Sequence, residues 1–360
     1  MASEDKLTQH QVGDAIATPA LLKQAVESNL KARTTHRGDV TMHCTPASID
    51  FYMQQLDELF KTLGKQLAEK ELAQLQELVA QTMQQGFESS ASAKVVLRYE
   101  ISMSASLQKN LACNVALTTP SLAEQYKGWV ETKQPPLFGS QPDAKLMAVV
   151  KSIPNPAATA PILDIGAGTG RNTLPLARLG YPVDAIELTP EFASQLQTAA
   201  SVEKLPVTVA VADILNPLIQ MRSGYYKLAI ASEVVSHFRS GDQIRTLLVK
   251  MCDALSKDGL FLFNIFLAVD GYEPDALARQ MAEVAWSSLF TRTELADAIA
   301  GLPLEVISDE SAIAYEQANL PAEAWPPTGW FLAWATGKSV FPLAQGKSPM
   351  ELRWILCKRL

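Results

Sequence analysis

The sequence predicts an α/β fold, a mostly parallel sheet with crossover helices, preceded by an N-terminal α+β extension. Three observations lead there. Pro161 to Glu187 reads PILDIGAGTGRNTLPLARLGYPVDAIE: a short apolar run, a glycine-rich turn, a helix with Leu174, Leu176, Ala177 and Leu179 at burial spacing, and a second apolar run ending in a carboxylate. Beyond it, apolar runs at Val207–Asp213, Tyr226–Phe238 and Leu255–Phe266 alternate with helical periodicity, as a parallel sheet requires. Before residue 140 the pattern differs, with helical spacing first and a pair of period-two runs after it.

Taken in order, residues 1–15 read as a frayed end, and Thr18-Pro19 opens a helix (Leu21, Leu22, Ala25, Val26, Leu30) that runs out near Thr34. Thr45 and Pro46 start a second helical stretch (Ile49, Phe51, Tyr52, Leu56, Leu59, Phe60), which Gly64 interrupts before Leu67, Leu72, Leu75, Leu78, Val79 and Met83 continue to Gly86. This spacing predicts two helices. Val95, Leu97, Tyr99 and Ile101 then alternate, as do Leu111, Cys113, Val115 and Leu117, a candidate antiparallel pair. A helix from about Pro120 to Thr132 and the Pro135-Pro136 break close the extension, and a helix over Pro142–Ser152 leads into the first strand, Pro161–Ile165. The second strand, Val183–Ile186, follows the Gly180-Tyr181-Pro182 break, and Thr189-Pro190 begins the next helix. Further helices are expected over Ser240–Lys257 and Pro274–Ala300, and strands at Leu304–Ser308 and Leu352–Lys358. The stretch Ala312–Pro349 has no readable period. The domains expected are therefore 1–140 and 141–360, the second carrying an insertion at about 312–349.

The glycine turn is informative about its ligand. A dinucleotide site needs G-x-G-x-x-G, and counting from Gly166 the third glycine is replaced by Arg171. That disfavours a nicotinamide oxidoreductase. What stands here is Asp164, Gly166, Gly168, Gly170, and a carboxylate just before the turn repels a pyrophosphate but suits a ligand bearing an ammonium and a sulfonium.

On these residues the chain resembles the class I S-adenosylmethionine-dependent methyltransferases. The run GRNTLPLARLGYPVDAIE, Gly170–Glu187, is similar to the small-molecule branch that includes the tellurite-resistance methyltransferases, with a core like the type 11 to 25 domains. VTVAVAD (Val207–Asp213), YKLAIASEVVSHF (Tyr226–Phe238) and LSKDGLFLFNIF (Leu255–Phe266) resemble the third, fourth and fifth strands with their ends. The resemblance covers roughly residues 141–310 and the last strand. It implies a seven-stranded, mostly parallel Rossmann-like sheet with an antiparallel last strand beside the fifth, and S-adenosylmethionine as methyl donor. It also implies that Asp164, Gly166, Ala167, Gly168 and Gly170 hold the methionine end, that Glu187 with Leu188 takes the ribose hydroxyls, that Asp213 with Ile214 meets the adenine, and that Ser232 lies at the ligand.

Candidate catalytic residues follow the fourth strand. His237 can serve as a general base near neutral pH, or simply cap and pack; Glu233 has the same two readings. Transfer from a sulfonium chiefly requires alignment, so a base is not obligatory. No Asn/Asp-Pro-Pro-Tyr/Phe run follows this strand, the run that grips a planar amide or ring nitrogen in amino-methylating members of the family, which disfavours an adenine or glutamine methyltransferase. Trp325, Trp330, Phe331 and Trp334 either wall an apolar acceptor site or anchor the insertion in the core, and Tyr126 and Trp129 share that ambiguity.

Composition narrows the partners. Of the 360 residues 48% are apolar and 19% charged, with a net charge of −7, and 14 Lys/Arg against 16 Asp/Glu to residue 150 and 17 against 22 beyond it leave neither part basic. That argues against a nucleic-acid substrate gripped by its phosphates. Cys44, Cys113, Cys252 and Cys357 are scattered without a metal-ligand spacing, His43-Cys44 lacks further ligands, and no apolar run reaches membrane length. The expectation is a cytoplasmic enzyme without a metal, methylating a small molecule on oxygen or nitrogen. Its extension would cover the acceptor pocket or, through the helix Lys65–Gln85, form a homodimer. A protein methyltransferase and a non-catalytic donor-binding protein are the alternatives.

Overall fold

The computed structural model describes residues 18–33, 35–103, 109–132, 137–153 and 157–360. The expected frayed end at 1–15 and the Pro135-Pro136 break lie outside them. The chain divides into two compact units, Met1–Gly86 with Lys94–Thr118, and Phe87–Ala93 with Thr119–Leu360.

In the first unit, α1 (Pro19–Arg33) starts where the Thr18 hydroxyl oxygen accepts the Leu21 N–H at 3.3 Å. β1 (His36–His43) is an element the sequence did not announce: HRGDVTMH offers only Val40 and Met42 as apolar alternation. It is set by its partner strand, from His36 opposite Ile101 to His43 opposite Lys94. α2 (Ile49–Thr62) and α3 (Glu69–Ser89) are the two helices expected, separated at Gly64, whose φ is +78°. β2 (Lys94–Met103) and β3 (Lys109–Thr118) form the antiparallel pair, Leu97 opposite Val115, in a sheet of order β1-β2-β3. Leu75, Val79 and Met83 of α3 are buried, so that helix turns its apolar face inward rather than leaving it exposed.

The second unit contains α4 (Leu122–Thr132), α5 (Ala144–Val150), β4 (Ile162–Ile165), α6 (Thr173–Arg178), β5 (Val183–Glu187), α7 (Pro190–Glu203), β6 (Val207–Val211), β7 (Tyr226–Ala231), α8 (Gly241–Ala254), β8 (Leu255–Ala268), α9 (Ala276–Val284), β9 (Leu289–Phe290), α10 (Arg292–Ile299), β10 (Leu304–Ser311), α11 (Ala312–Asn319), α12 (Phe331–Ala335) and β11 (Met350–Arg359). Its eight-stranded sheet runs β10-β11-β8-β7-β4-β5-β6, with the short β9 beside β8. β4 to β8 are mutually parallel, while β11 lies antiparallel between β8 and β10, as the resemblance implies. Strand order reverses at β4, which has β5 on one side and β7 on the other, and ligands of open α/β sheets sit at that crevice. Ile165 is level with Ile186 and Ala231, so the glycine turn, Glu187 and Ser232 emerge together.

One crossover departs from expectation. Between β6 and β7 there is no helix: residues 212–225 form turns around Pro217 and Gly224, tied down by Lys250 Nζ, which donates to the carbonyls of Asn216 (2.9 Å) and Ile219 (2.6 Å). The unassigned stretch after Ser311 resolves into α11 and α12. Phe331 and Trp334 on α12 join the core with Phe266 and Trp354, and Glu316 on α11 accepts the Ala144 N–H at 2.7 Å and the Trp354 indole N–H at 3.0 Å. The insertion therefore builds core rather than standing off it.

Candidate functional site

The site begins at the turn after β4. Gly166 and Gly168 hold φ of +70° and +55°, and a Cβ on Gly166 would stand 2.4 Å from Val234 Cγ2; only glycine permits this approach of two strand-end loops. Gly170 behaves differently. Its φ is +97° and a Cβ would meet Leu196 Cδ1 at 2.6 Å and Leu174 Cγ at 2.9 Å, so the missing side chain makes room for those two leucines.

Asp164 is 2% exposed and its Oδ2 accepts the Thr173 hydroxyl at 2.6 Å. Burial pushes its carboxyl up to about 7, against the Thr173 hydrogen bond that favours the charged form. Glu187 accepts two backbone N–H groups, Gly168 at Oε2 and Thr189 at Oε1, both at 2.7 Å, and burial raises its pKa despite them. These bonds lock the end of β5 against the glycine turn.

Both carboxylates border a cavity of about 460 Å3. Its walls bring together the predicted residues Asp164, Gly166, Ala167, Gly168, Glu187, Leu188, Asp213, Ile214, Ser232, Glu233 and His237. Asp213 is exposed and its Oδ1 caps the following turn, accepting the Leu215 N–H at 2.8 Å, while Ile214 is buried.

The walls also hold residues that sequence reasoning passed over. Arg171, read only as a missing glycine, is a clamp: it pairs with Asp143, and its Nη2 donates to Glu233 Oε1 at 2.9 Å. Asp143 also accepts the Ser232 hydroxyl at 2.7 Å and the Asn172 amide at 2.8 Å. Glu233 sits at φ +60°, and burial, opposed by Arg171, pushes it up to about 7. Tyr126 on α4 has its hydroxyl 2.8 Å from His237 Nε2. Burial drives His237 down to about 4, so it is neutral at pH 7 and a weak base, which makes Glu233 the better-poised of the two candidates. The segment Phe87–Ala93 adds a rim, and the Arg239 guanidinium stands 4.5 Å over the Phe87 ring while donating to Glu283 at 2.7 Å.

Beside this cavity is a chamber of about 240 Å3 that shares Tyr126, Phe138, Glu233, His237 and Trp286 with it. Trp330 and Trp334 complete its wall, their indole N–H groups donating to the carbonyls of Leu137 (3.3 Å) and Trp286 (2.9 Å). Both readings of the tryptophan-rich insertion therefore hold for Trp334, which is buried in the core and also faces a cavity. The Trp129 side chain lies outside the described residues. Among the described residues no three His, Cys, Asp or Glu are grouped to hold a metal ion, and no helix is long and apolar enough to cross a membrane.

The large cavity suits a cationic nucleoside. Five carboxylates line it (Asp164, Glu187, Asp213, Glu233, Glu283) against two guanidiniums (Arg171, Arg239), and both guanidiniums are already paired. A sulfonium and an ammonium gain from that excess; a pyrophosphate is repelled.

Residues 162–259 match the methyltransferase domain family. No curated protein matches the chain. Similar solved structures include geranyl diphosphate C-methyltransferase from Streptomyces coelicolor A3(2), 15% identical, covering 60% of this chain and 80% of that one with a TM-score of 0.47. A putative sarcosine dimethylglycine methyltransferase from Galdieria sulphuraria is 15% identical over 60% of this chain and 84% of its own, TM-score 0.45. TehB from Haemophilus influenzae is 16% identical over 70% and 71%, TM-score 0.39. The match over residues 162–259, from β4 into the start of β8, identifies that part of the chain as a methyltransferase domain, and its strand order and carboxylate-rich crevice suit a cationic nucleoside such as S-adenosylmethionine.

Proposed function

We propose that the protein methylates a small-molecule acceptor by in-line displacement. The observation that carries this reading is the juxtaposition of a cavity of about 460 Å3, rich in carboxylates, with a compact ring-walled chamber of about 240 Å3 that opens on the same Glu233 and His237. The first has room for the donor, and the second for a small acceptor rather than a folded protein surface.

In this reading the backbone of Gly166 to Gly168 and the Asp164 carboxylate hold the methionine end of the donor. Glu187, already fixed by two N–H groups, accepts the ribose hydroxyls on its remaining lone pairs. Leu188 and Ile214 flank the adenine, Asp213 receives its amino group, and Ser232 with the Arg171 clamp shapes the floor. Bound S-adenosylmethionine supplies an electrophilic methyl group. The chain's part is alignment of the acceptor at near-attack distance and exclusion of water by Tyr126, Phe138 and Trp286, which accounts for most of the achievable acceleration in such a displacement. Glu233 takes a proton where the acceptor has one to lose.

The catalytic unit in this proposal begins at α4, since Tyr126 belongs to it, and the first unit is an accessory module, a substrate cover or a dimerisation surface. Four unpaired cysteines suit a reducing compartment, the cytoplasm. Incubation with methyl-labelled donor and pooled small molecules, beside a cell lysate, tests the function: label is expected in the small-molecule fraction, and label confined to a protein band would overturn the reading.

A further inference from the structure

We propose that the ring-walled chamber binds the acceptor as a compact ammonium and its free amine, held by aromatic faces and the Glu233 carboxylate, so that nitrogen is the methylated atom. This rests on the methyl-transfer reading above. At about 240 Å3 the chamber has the volume of roughly eight water molecules, room for the reacting group of the acceptor.

Its walls are inclined to one another rather than stacked. Tyr126 and Trp286 have centroids 5.2 Å apart at 50°, His237 and Trp286 5.7 Å at 57°, and Trp330 and Trp334 5.7 Å at 78°. Rings inclined in this way lie in different planes around the chamber, and a ring face that borders it attracts a cation. The charge points the same way. No Lys or Arg is among the described residues lining the chamber, and Arg171 behind Glu233 is shared with Asp143, so one guanidinium stands between two carboxylates. Glu233 Oε1 takes that guanidinium, while Oε2 has no hydrogen-bond partner among the described residues. An acceptor bearing a carboxylate or phosphate would meet no neutralising group here, and His237, neutral at pH 7, supplies none.

The chemistry uses the same groups. The amine lone pair forms the new C–N bond as the methyl–sulfur bond breaks, its electron pair passing to sulfur. The sulfonium becomes a neutral thioether and the positive charge moves to nitrogen; if the amine carried hydrogen, that proton leaves to Glu233 or to water. Charge thus develops on nitrogen in the transition state, where the ring faces and Glu233 already stand.

The test titrates the full chain, saturated with S-adenosylhomocysteine, with tetramethylammonium and with tert-butanol, followed by tryptophan fluorescence and calorimetry. Tetramethylammonium is expected to bind about tenfold tighter than its neutral counterpart, and Glu233→Gln and Trp330→Leu are each expected to lose most of that preference; if one variant does not fold, the other carries the comparison. Equal binding of the two probes, or none by tetramethylammonium once the nucleoside is bound, overturns the ammonium assignment alone. Failure of S-adenosylhomocysteine itself to bind overturns the underlying methyl-transfer reading and this one with it.

Discussion

Donor binding should depend on pH through Asp164. The residue is 2% exposed, its one hydroxyl donor is Thr173 at 2.6 Å, and burial pushes its carboxyl up to about 7. A cationic ligand favours the ionised form, so binding lowers that pKa and expels a proton. With one such group, affinity at pH 5 is limited to the fraction ionised, about one part in a hundred, against one half at pH 7. The expected weakening is roughly fiftyfold, or about 2.3 kcal/mol, with affinity levelling off above pH 8. The free protein follows the opposite sign: its pKa of about 7 lies above the model-compound 3.8. The folded chain therefore holds the proton longer, and stability falls as pH rises from about 4 through about 7. Calorimetric titration with S-adenosylhomocysteine from pH 5 to 8, in buffers of differing ionisation enthalpy, reads both affinity and released protons. Thr173→Val should move the midpoint upward, and Asp164→Asn should reduce the slope to what Glu233, raised to about 7 on the same cavity wall, contributes. A flat wild-type profile, or an unchanged slope in Asp164→Asn, refutes the reasoning.

Other consequences are as specific. Arg171→Ala strands Asp143 and Glu233, whose ion pairs have side chains only 9% to 19% exposed, and should cost about 3–5 kcal/mol in urea unfolding; Arg171→Lys should recover little, because one ammonium cannot reproduce the fork. Gly170→Ala drives a methyl into Leu196 and Leu174 at a φ of +97° and should lower stability by roughly 2–3 kcal/mol. By contrast Gly168→Ala meets only Phe138 at 3.6 Å, so nucleoside affinity should suffer more than thermal stability, with differential scanning and titration separating the two. Tyr126→Phe removes the hydroxyl 2.8 Å from His237, and steady-state kinetics should show a larger change in acceptor KM and kcat than in donor affinity.

The local chemistry of the strand ends is legible because short-range rules govern it. A carboxylate two residues before a glycine, and another ending the next strand, announced Asp164 and Glu187, and the parallel register then brought them together. Spacing alone does not say that the missing Cβ of Gly170 makes room for Leu196. β1 escaped because an edge strand of HRGDVTMH carries little apolar alternation and is specified by its neighbour β2. Alternation alone implies a helix after β6, but Pro217 and Gly224 in that stretch favour turns. Arg171 was visible only as an absent glycine, because its two carboxylate partners lie 28 and 62 residues away. Tyr126, 111 residues from His237, belongs to the site through tertiary packing that no local pattern encodes.

Calorimetric titration of the full chain with S-adenosylmethionine and S-adenosylhomocysteine, beside a Glu187→Ala variant shown by circular dichroism to be folded, tests the donor site most directly. Stoichiometric binding to the wild type is expected, with a loss of roughly tenfold or more in the variant as the charge-assisted bonds to the ribose disappear. No heat from a folded wild-type protein, or equal affinity in the variant, would contradict the assignment of this cavity to the methyl donor.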